Sequence, residues 1–250
     1  MTYFAKNLGI LVMLALLAAC RPTDINNIND DSYIEIDNFF QKDKEILKEF
    51  DLLIEHEADL KIIENYAVAN ASKMTAIGAD ALVETLIQEI LKDGESVDYS
   101  EIVKNYGAYL SNSYGAYLKL QRDEYNERLE SERVLLVSWE DLGRRIVNHE
   151  KYLKEHVISD YYDQVKDRYY YLISVYVYGL NNTPVADYEG YLFDDIKIKY
   201  IEFMKHGDDS EFKKFLAEYI EILKESDWKI ESERVSRYLA KQYEVFRAKW

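Results

Sequence analysis

Apolar residues recur at intervals of three and four along most of the chain from residue 38 onward, and few residues interrupt that spacing. The 250 residues include only two prolines and nine glycines. Such spacing is typical of amphipathic helices, and proline and glycine are the residues that most often end them. The sequence therefore predicts an all-α fold with long helices.

The first long apolar stripe covers residues 38–91. A kink or a split is expected at Gly78 or elsewhere in the small-residue stretch 67–81. Asp93-Gly94 then ends the segment, because glycine readily adopts the left-handed conformation that closes a helix.

A second apolar stripe begins near Asp98 or Ser100 and continues to about residue 153. Ser100 can cap the helix, since its side-chain oxygen can accept a backbone N–H group. Two long helices separated by a few residues predict an antiparallel hairpin, coiled-coil-like over part of its length, for residues 38–158.

The second stripe contains an exact repeat, Tyr-Gly-Ala-Tyr-Leu, at residues 106–110 and again at 114–118. A shift of eight residues turns a helix by about 80° beyond two full turns, so the copies would occupy neighbouring faces. The glycines and alanines of both copies predict a close approach by a second helix. A hinge or a ligand groove is the alternative.

Residues 159–250 are expected to form a compact bundle of shorter helices. The stretch 169–178 has the β-branched and aromatic bias of a strand, yet its apolar spacing also fits a helix. We favour a helix because no second strand-like run is present to pair with it. A loop at 179–184 should follow, and then helices at about 187–205, 210–225 and 228–250. The boundary near residue 158 is soft.

The N-terminal residues have a different pattern. Lys6 precedes an uncharged apolar run, residues 8–19, that is about half the length needed to cross a bilayer. A short positive start followed by an apolar run and small residues is typical of a secretory signal peptide. The closing residues Leu17-Ala18-Ala19-Cys20 resemble the lipobox of bacterial lipoproteins. The resemblance implies cleavage between Ala19 and Cys20, lipidation of Cys20, and attachment to a membrane through the acyl chains.

This resemblance divides the N-terminal part into a signal peptide, 1–19, and a tether, 20–37. The tether is rich in Asn and Asp and as a flexible coil would reach about 20 to 25 Å. In enteric lipoproteins, an Asp directly after the lipidated cysteine keeps the protein in the inner membrane. Arg21 follows Cys20 here, so the resemblance favours the outer membrane over the inner membrane. Because Cys20 is the only cysteine, the chain cannot form an internal disulfide.

The charge of the chain restricts its partners. The formal net charge is −16, and removal of Lys6 with the leader makes it −17. Nucleic-acid binding requires Lys and Arg to neutralise phosphates, so the charge argues against it. It equally argues against lying flat on anionic lipid and favours a basic protein partner.

No pattern in the sequence indicates catalysis, a metal or a cofactor. His149 and His156 would lie on one helix face about 10 Å apart along the axis, too far to share one metal ion. The metalloprotease, di-iron, phosphate-loop and hydrolase-elbow motifs are absent from the sequence. We therefore expect a protein that is not an enzyme.

The expected function is protein binding by a lipoprotein in the periplasm or at the cell surface. A narrower version is an inhibitor or immunity-type protein for a basic partner. The alternatives are a structural spacer, or an envelope enzyme acting on peptidoglycan or polysaccharide through a carboxyl of raised pKa in a tyrosine-lined cleft. The chain has 23 tyrosines, and tyrosine is enriched where proteins meet. The candidate contact residues are Tyr106, Tyr109, Tyr114, Tyr117, Tyr169, Tyr170 and Tyr171.

Overall fold

The computed structural model of the protein describes residues 30–205 and 209–250. Within these residues it has ten helices and two very small β-hairpins, so the all-α class is confirmed. The helices are α1 Asp30–Glu55, α2 Leu60–Ala71, α3 Ala76–Lys92, α4 Tyr99–Tyr106, α5 Asn112–Asn126, α6 Trp139–Glu155, α7 Tyr162–Tyr178, α8 Asp194–Phe203, α9 Glu211–Glu225 and α10 Glu233–Lys249. The hairpins pair β1 Glu130–Ser131 with β2 Val134–Leu135, and β3 Gly179–Leu180 with β4 Thr183–Pro184.

Helices α1 to α4 and the first part of α5 enclose one hydrophobic core, which we call the N-terminal lobe. Helix α3 supplies much of it, because Leu82, Leu86 and Ile90 recur at a four-residue spacing and all three are buried. Phe50 of α1 packs into the same core.

The second core, the C-terminal lobe, begins at Leu120 of α5 and includes helices α6 to α10. The helices α6 and α7 form its central pair. Tyrosine and other aromatic rings fill the space between the helices. Tyr176, for example, stacks on Tyr200 at 5.0 Å between ring centroids and meets Trp139 edge-on at 5.6 Å. Much of the tyrosine excess is therefore core packing, and the two cores divide within α5 rather than near residue 158.

The stretch 38–91 is divided into the three helices α1, α2 and α3, so the first long arm of the predicted hairpin is wrong. Asp59 caps α2 by accepting the N–H of Lys61 at 2.8 Å, and Thr75 caps α3 by accepting the N–H of Gly78 at 3.1 Å. At the first break Glu57 adopts a left-handed φ of 52°. The second break falls within the small-residue stretch 67–81, where a split was expected.

The second predicted long helix is also divided, so the long coiled-coil-like hairpin is replaced by short helices. Helix α4 starts near Asp98 as expected, but its cap is Asp98 rather than Ser100. It ends at Tyr106, and Ser111 caps a new helix, α5. The β1–β2 hairpin then separates α5 from α6, with Glu132 and Arg133 at left-handed φ values of 50° and 64°. The apolar spacing continues across each break because both flanking helices bury one face in a shared core.

Several other elements can be compared with the sequence. Helix α7 covers 169–178, so the choice of helix there is confirmed. Gly94, with a φ of +79°, follows α3 as expected, and Ser210 caps α9. The loop at 179–184 is the β3–β4 hairpin. Helix α1 begins at Asp30, inside the predicted tether 20–37, and the rest of that tether lies outside the described residues.

Candidate functional site

The predicted lipidation and cleavage site, Ala19 and Cys20, lies outside the described residues. Among those that are described, no helix is sufficiently long and apolar to traverse a bilayer. The attachment to a membrane therefore stays a prediction from the sequence.

Three of the predicted contact tyrosines are core residues, so that part of the prediction is wrong. Tyr106, Tyr114 and Tyr169 are only 2%, 3% and 0% exposed. Each lies on the helix face that turns toward its lobe's core, and burial raises the pKa of Tyr106 to about 12. These three side chains pack the protein and cannot contact a partner in this conformation.

The Tyr-Gly-Ala-Tyr-Leu repeat packs through its large side chains rather than through close approach at its glycines. Its first copy forms the turn between α4 and α5, and Tyr109 is 41% exposed there. Its second copy is helical, but a Cβ at Gly115 would meet only Leu110 Cβ, at 3.9 Å. No second helix approaches closely at Gly115, so the predicted close packing is wrong. Tyr117 of this copy stacks on Tyr161, with 4.2 Å between ring centroids.

The remaining two predicted tyrosines, Tyr170 and Tyr171, line an apolar groove between α7 and α10 with a volume of about 370 Å³. Both are half-buried. Tyr170 donates to the carbonyl of Phe246 at 3.1 Å. Tyr178 and Tyr243, which the sequence analysis did not single out, are 57% and 58% exposed on the same groove. The position of Tyr178 could have been inferred from helical spacing, since it lies two turns after Tyr171 on the same helix.

A larger site, which we call the acidic cleft, lies between the α1–α2 turn and the end of α3, with a volume of about 730 Å³. Its carboxylates are Glu57, Asp59, Glu64, Glu89, Asp93 and Glu95. Its two lysines are already paired with carboxylates of the cleft: Lys61 lies 3.4 Å from Glu64, and Lys92 lies 3.0 Å from Glu89. Six carboxylates against two lysines give the cleft a net charge of −4.

The acidic charge of residues 40–250 is concentrated in the N-terminal lobe. Residues 40–118 contain 15 acidic and seven basic residues, a net charge of −8. Residues 119–250 contain 27 acidic and 22 basic residues, a net charge of −5 over a much longer stretch. The cleft could not be predicted from the apolar spacing, because that spacing continues through residues 56–59, where the chain turns between two helices.

A third site lies between α5, α6 and α7, and we call it the His149 pocket. Its volume is about 340 Å³, and Tyr117, Gln121, Glu124, His149, Gln164, Val165, Asp167, Arg168 and Tyr171 line it. His149 is only 3% exposed, and burial lowers its pKa. His156, predicted on the same helix face, is the residue that ends α6 and does not line the pocket. Across residues 30–205 and 209–250, no cluster of three or more His, Cys, Asp or Glu could hold a metal ion.

Comparison with known proteins assigns no family to the chain. No protein-family model, curated protein or solved structure matches it. The acidic cleft, the apolar groove and the His149 pocket are therefore the features on which a proposed function must rest.

Proposed function

We propose that the protein is a membrane-anchored bacterial lipoprotein that acts by binding a basic protein at the cell envelope, and that the acidic cleft is the contact site. The anchor is inferred from the lipobox-like residues Leu17-Ala18-Ala19-Cys20. The binding is inferred from one observation, the net charge of −4 in a cleft whose two lysines are already paired.

The charge of the cleft favours a partner segment that carries several Lys or Arg residues. A single exposed ion pair contributes only about 0.2 to 1 kcal/mol, so one lysine would not suffice. Four carboxylates in excess, inside a lobe of net charge −8, create a field that attracts and orients a basic surface before contact. The main effect of this field is on the association rate, which should fall as salt is added.

The helices that form the cleft also expose apolar side chains. Ile62 of α2 is 53% exposed and Leu91 of α3 is 55% exposed. Protein interfaces obtain much of their free energy from a few apolar side chains that become buried on binding, while charges set the orientation. Helices that carry both acidic and exposed apolar side chains suit contact with a basic protein rather than with an isolated cation.

An inhibitor or immunity-type role is the narrower form of this proposal. A small acidic protein held at the envelope could neutralise a basic toxin or hydrolase by covering its charged surface. Binding that is equally strong at low and high salt would contradict this form, because exposed charges are screened beyond about 8 to 10 Å at physiological ionic strength.

The enzymatic alternative requires a carboxyl of raised pKa in a tyrosine-lined cleft. Among the described residues, Asp80 is the carboxyl whose pKa is raised, because of burial. Its carboxylate accepts the N–H of Ser111 at 2.9 Å, and Asp80 lines none of the three sites. Its role is to hold the start of α5 against α3, which gives no support to catalysis.

The experiment is a capture of partners from envelope extracts with the lipidated protein and with the variant Glu57→Gln/Glu64→Gln/Glu95→Gln. We expect the unmodified protein to capture one or a few basic proteins at low salt and to release them at high salt. The triple variant should lose them. Asp59 is left unchanged because its carboxylate caps α2.

A matched control removes an equal number of negative charges, three, from the C-terminal lobe. The variant Glu132→Gln/Glu202→Gln/Glu244→Gln changes side chains that are all exposed. Like Glu57, Glu132 lies at a left-handed turn position. Equal loss of capture by both triple variants would show that only overall charge matters, and retention by the cleft variant would refute the proposed contact site.

A further inference from the structure

His149 is a buried residue that lines the pocket and offers a hydrogen-bond acceptor. His149 Nδ1 lies 2.8 Å from the carbonyl oxygen of Arg145, one turn earlier on α6. A carbonyl oxygen can only accept, so Nδ1 carries the hydrogen and Nε2 of the neutral ring is an acceptor. Nε2 lies 3.7 Å from the nearer oxygen of Glu124, which is also an acceptor, so the two do not form a hydrogen bond.

The charged groups of the pocket wall largely neutralise one another. Arg168 of α7 binds Glu124 of α5 through two hydrogen bonds, one of them from Nε to Oε1 at 2.7 Å. Such forked pairs hold both side chains in a fixed geometry. The Arg168 guanidinium also lies over the ring of Tyr171, 5.0 Å from its centroid. With Glu124 and Arg168 paired, the only other charged group in the lining is the carboxylate of Asp167, which is exposed.

The other polar lining groups both donate and accept. Gln121 and Gln164 each present an amide, which has two donor hydrogens and an acceptor oxygen. A hydroxyl group is the ligand group that suits such a wall, because it donates one hydrogen and accepts others. The volume of about 340 Å³ is in the range of small-molecule sites.

We propose that the His149 pocket binds a sugar residue, with one sugar hydroxyl donating to His149 Nε2 and others contacting Gln121 and Gln164. A cationic ligand would have to displace Arg168 from Glu124. An anionic ligand would meet the carboxylates of Glu124 and Asp167. A neutral ligand with several hydroxyl groups has neither conflict.

This site is separate from the acidic cleft, which belongs to the N-terminal lobe. The proposed sugar binding therefore does not depend on the proposed protein partner, and either can fail without the other. Within an envelope, a sugar site would let the protein recognise a glycan while the cleft binds a protein.

The test is a titration of the purified chain with N-acetylglucosamine, glucose and galactose, followed by NMR of the His149 ring. We expect at least one sugar to bind saturably, with a Kd on the order of 1 mM, and to shift the Nε2 resonance. Lysine methyl ester serves as the cationic probe and inorganic phosphate as the anionic probe. No saturation by any of the three sugars, or tighter binding of either charged probe, would overturn the proposal.

Two variants separate the pocket from the rest of the surface. Gln164→Ala removes an exposed wall amide and should weaken binding by about 3- to 10-fold, the effect of one hydrogen bond. Gln88→Ala, an exposed glutamine on α3, is the matched control and should leave affinity unchanged. Equal effects of the two variants on sugar affinity would refute the proposed site. Neither variant changes a core residue, so a loss of folding would not explain the result.

The pH dependence of sugar binding gives an additional readout. Protonation makes Nε2 a donor, so the bound hydroxyl must turn and accept from it, and the hydrogen bond in which the hydroxyl donates is lost. The affinity should therefore change as the pH drops and His149 becomes charged. The charged groups around the ring are Glu124 of α5, Arg168 of α7 and Arg145 of α6. Affinity that is unchanged down to the pH at which the ring resonances show protonation would contradict the assigned role of Nε2.

Discussion

Glu150 is the buried charged residue whose removal should affect the C-terminal lobe most. Its side chain projects from α6 and is 1% exposed. Its carboxylate accepts the backbone N–H groups of Glu211, at 2.7 Å, and Phe212, at 2.9 Å, at the start of α9. Lys154 donates to the same carboxylate at 2.5 Å. A side chain of one helix thus caps the positive end of another.

The cost of Glu150→Ala can be worked out from these contacts. Two backbone N–H groups would lose their acceptor, and each unsatisfied buried donor costs about 1 to 3 kcal/mol. Loss of the favourable charge at the N-terminus of α9 adds about 0.3 to 1 kcal/mol. We expect the free energy of unfolding to fall by about 2 to 7 kcal/mol, a large part of the 5 to 15 kcal/mol typical of a folded domain.

Urea unfolding followed by circular dichroism measures this loss. Glu155→Ala is the control, because Glu155 lies on the same helix but its side chain is 55% exposed and its carboxylate lies 4.0 Å from Lys151 Nζ. The control should change stability by less than about 0.5 kcal/mol. Glu150→Gln should fall between the two, since its amide oxygen still accepts. A loss below about 1 kcal/mol for Glu150→Ala would refute the capping role.

Three other perturbations have defined outcomes. Cys20→Ser should leave the leader attached and the protein without acyl chains, and an intact mass that still shows lipidation would contradict the lipobox assignment. Gly143→Ala should destabilise by about 1 to 3 kcal/mol in urea unfolding, because a Cβ there would lie 2.6 Å from Phe203 Cζ. Gly115→Ala should be neutral or stabilising in the same assay, because a Cβ there meets only Leu110 Cβ at 3.9 Å. Because burial lowers the pKa of His149, the folded state disfavours its charged form, so stability is lost as the pH falls below about 6.5. The mutant His149→Gln should show a weaker loss in urea titrations at pH 7 and pH 5, and an equal loss would contradict that pKa direction.

The sequence predicts the class of structure and several helix ends, because those depend on local chemistry. The scarcity of proline and glycine, the left-handed Gly94 and the helix start near Asp98 all act within a few residues of their own position. The choice of helix for 169–178 succeeds for a different reason, since a lone strand would have no partner.

The sequence does not predict where the long stripes break, because the apolar spacing is the same in one long helix and in several short ones. The breaks at 56–59, 72–75 and 107–111 each precede a helix capped by Asp59, Thr75 or Ser111. These caps were visible in the sequence, but the apolar period that continues through them hid their effect. The positions of the helix starts are therefore indicated by the capping residues and not by the apolar spacing.

The candidate sites were harder to predict than the fold, because each brings together residues that are distant in sequence. The acidic cleft joins the α1–α2 turn to the end of α3, so it exists only if the first stripe folds back. The His149 pocket needs Glu124 and Arg168, which lie 44 residues apart. Tyrosine count alone could not separate Tyr169, which fills the core, from its neighbour Tyr170, which lines the groove.

The position of cross-links to the partner tests the acidic cleft most directly. Lys61 and Lys92 of the cleft have side chains that are 75% and 69% exposed, and Lys151 in the C-terminal lobe is 70% exposed. An amine-reactive cross-linker applied to intact cells, with mass spectrometry of the products, should join a basic protein to Lys61 or Lys92 in preference to Lys151. Cross-links at Lys151 with none at the cleft lysines would contradict the proposed mode of binding.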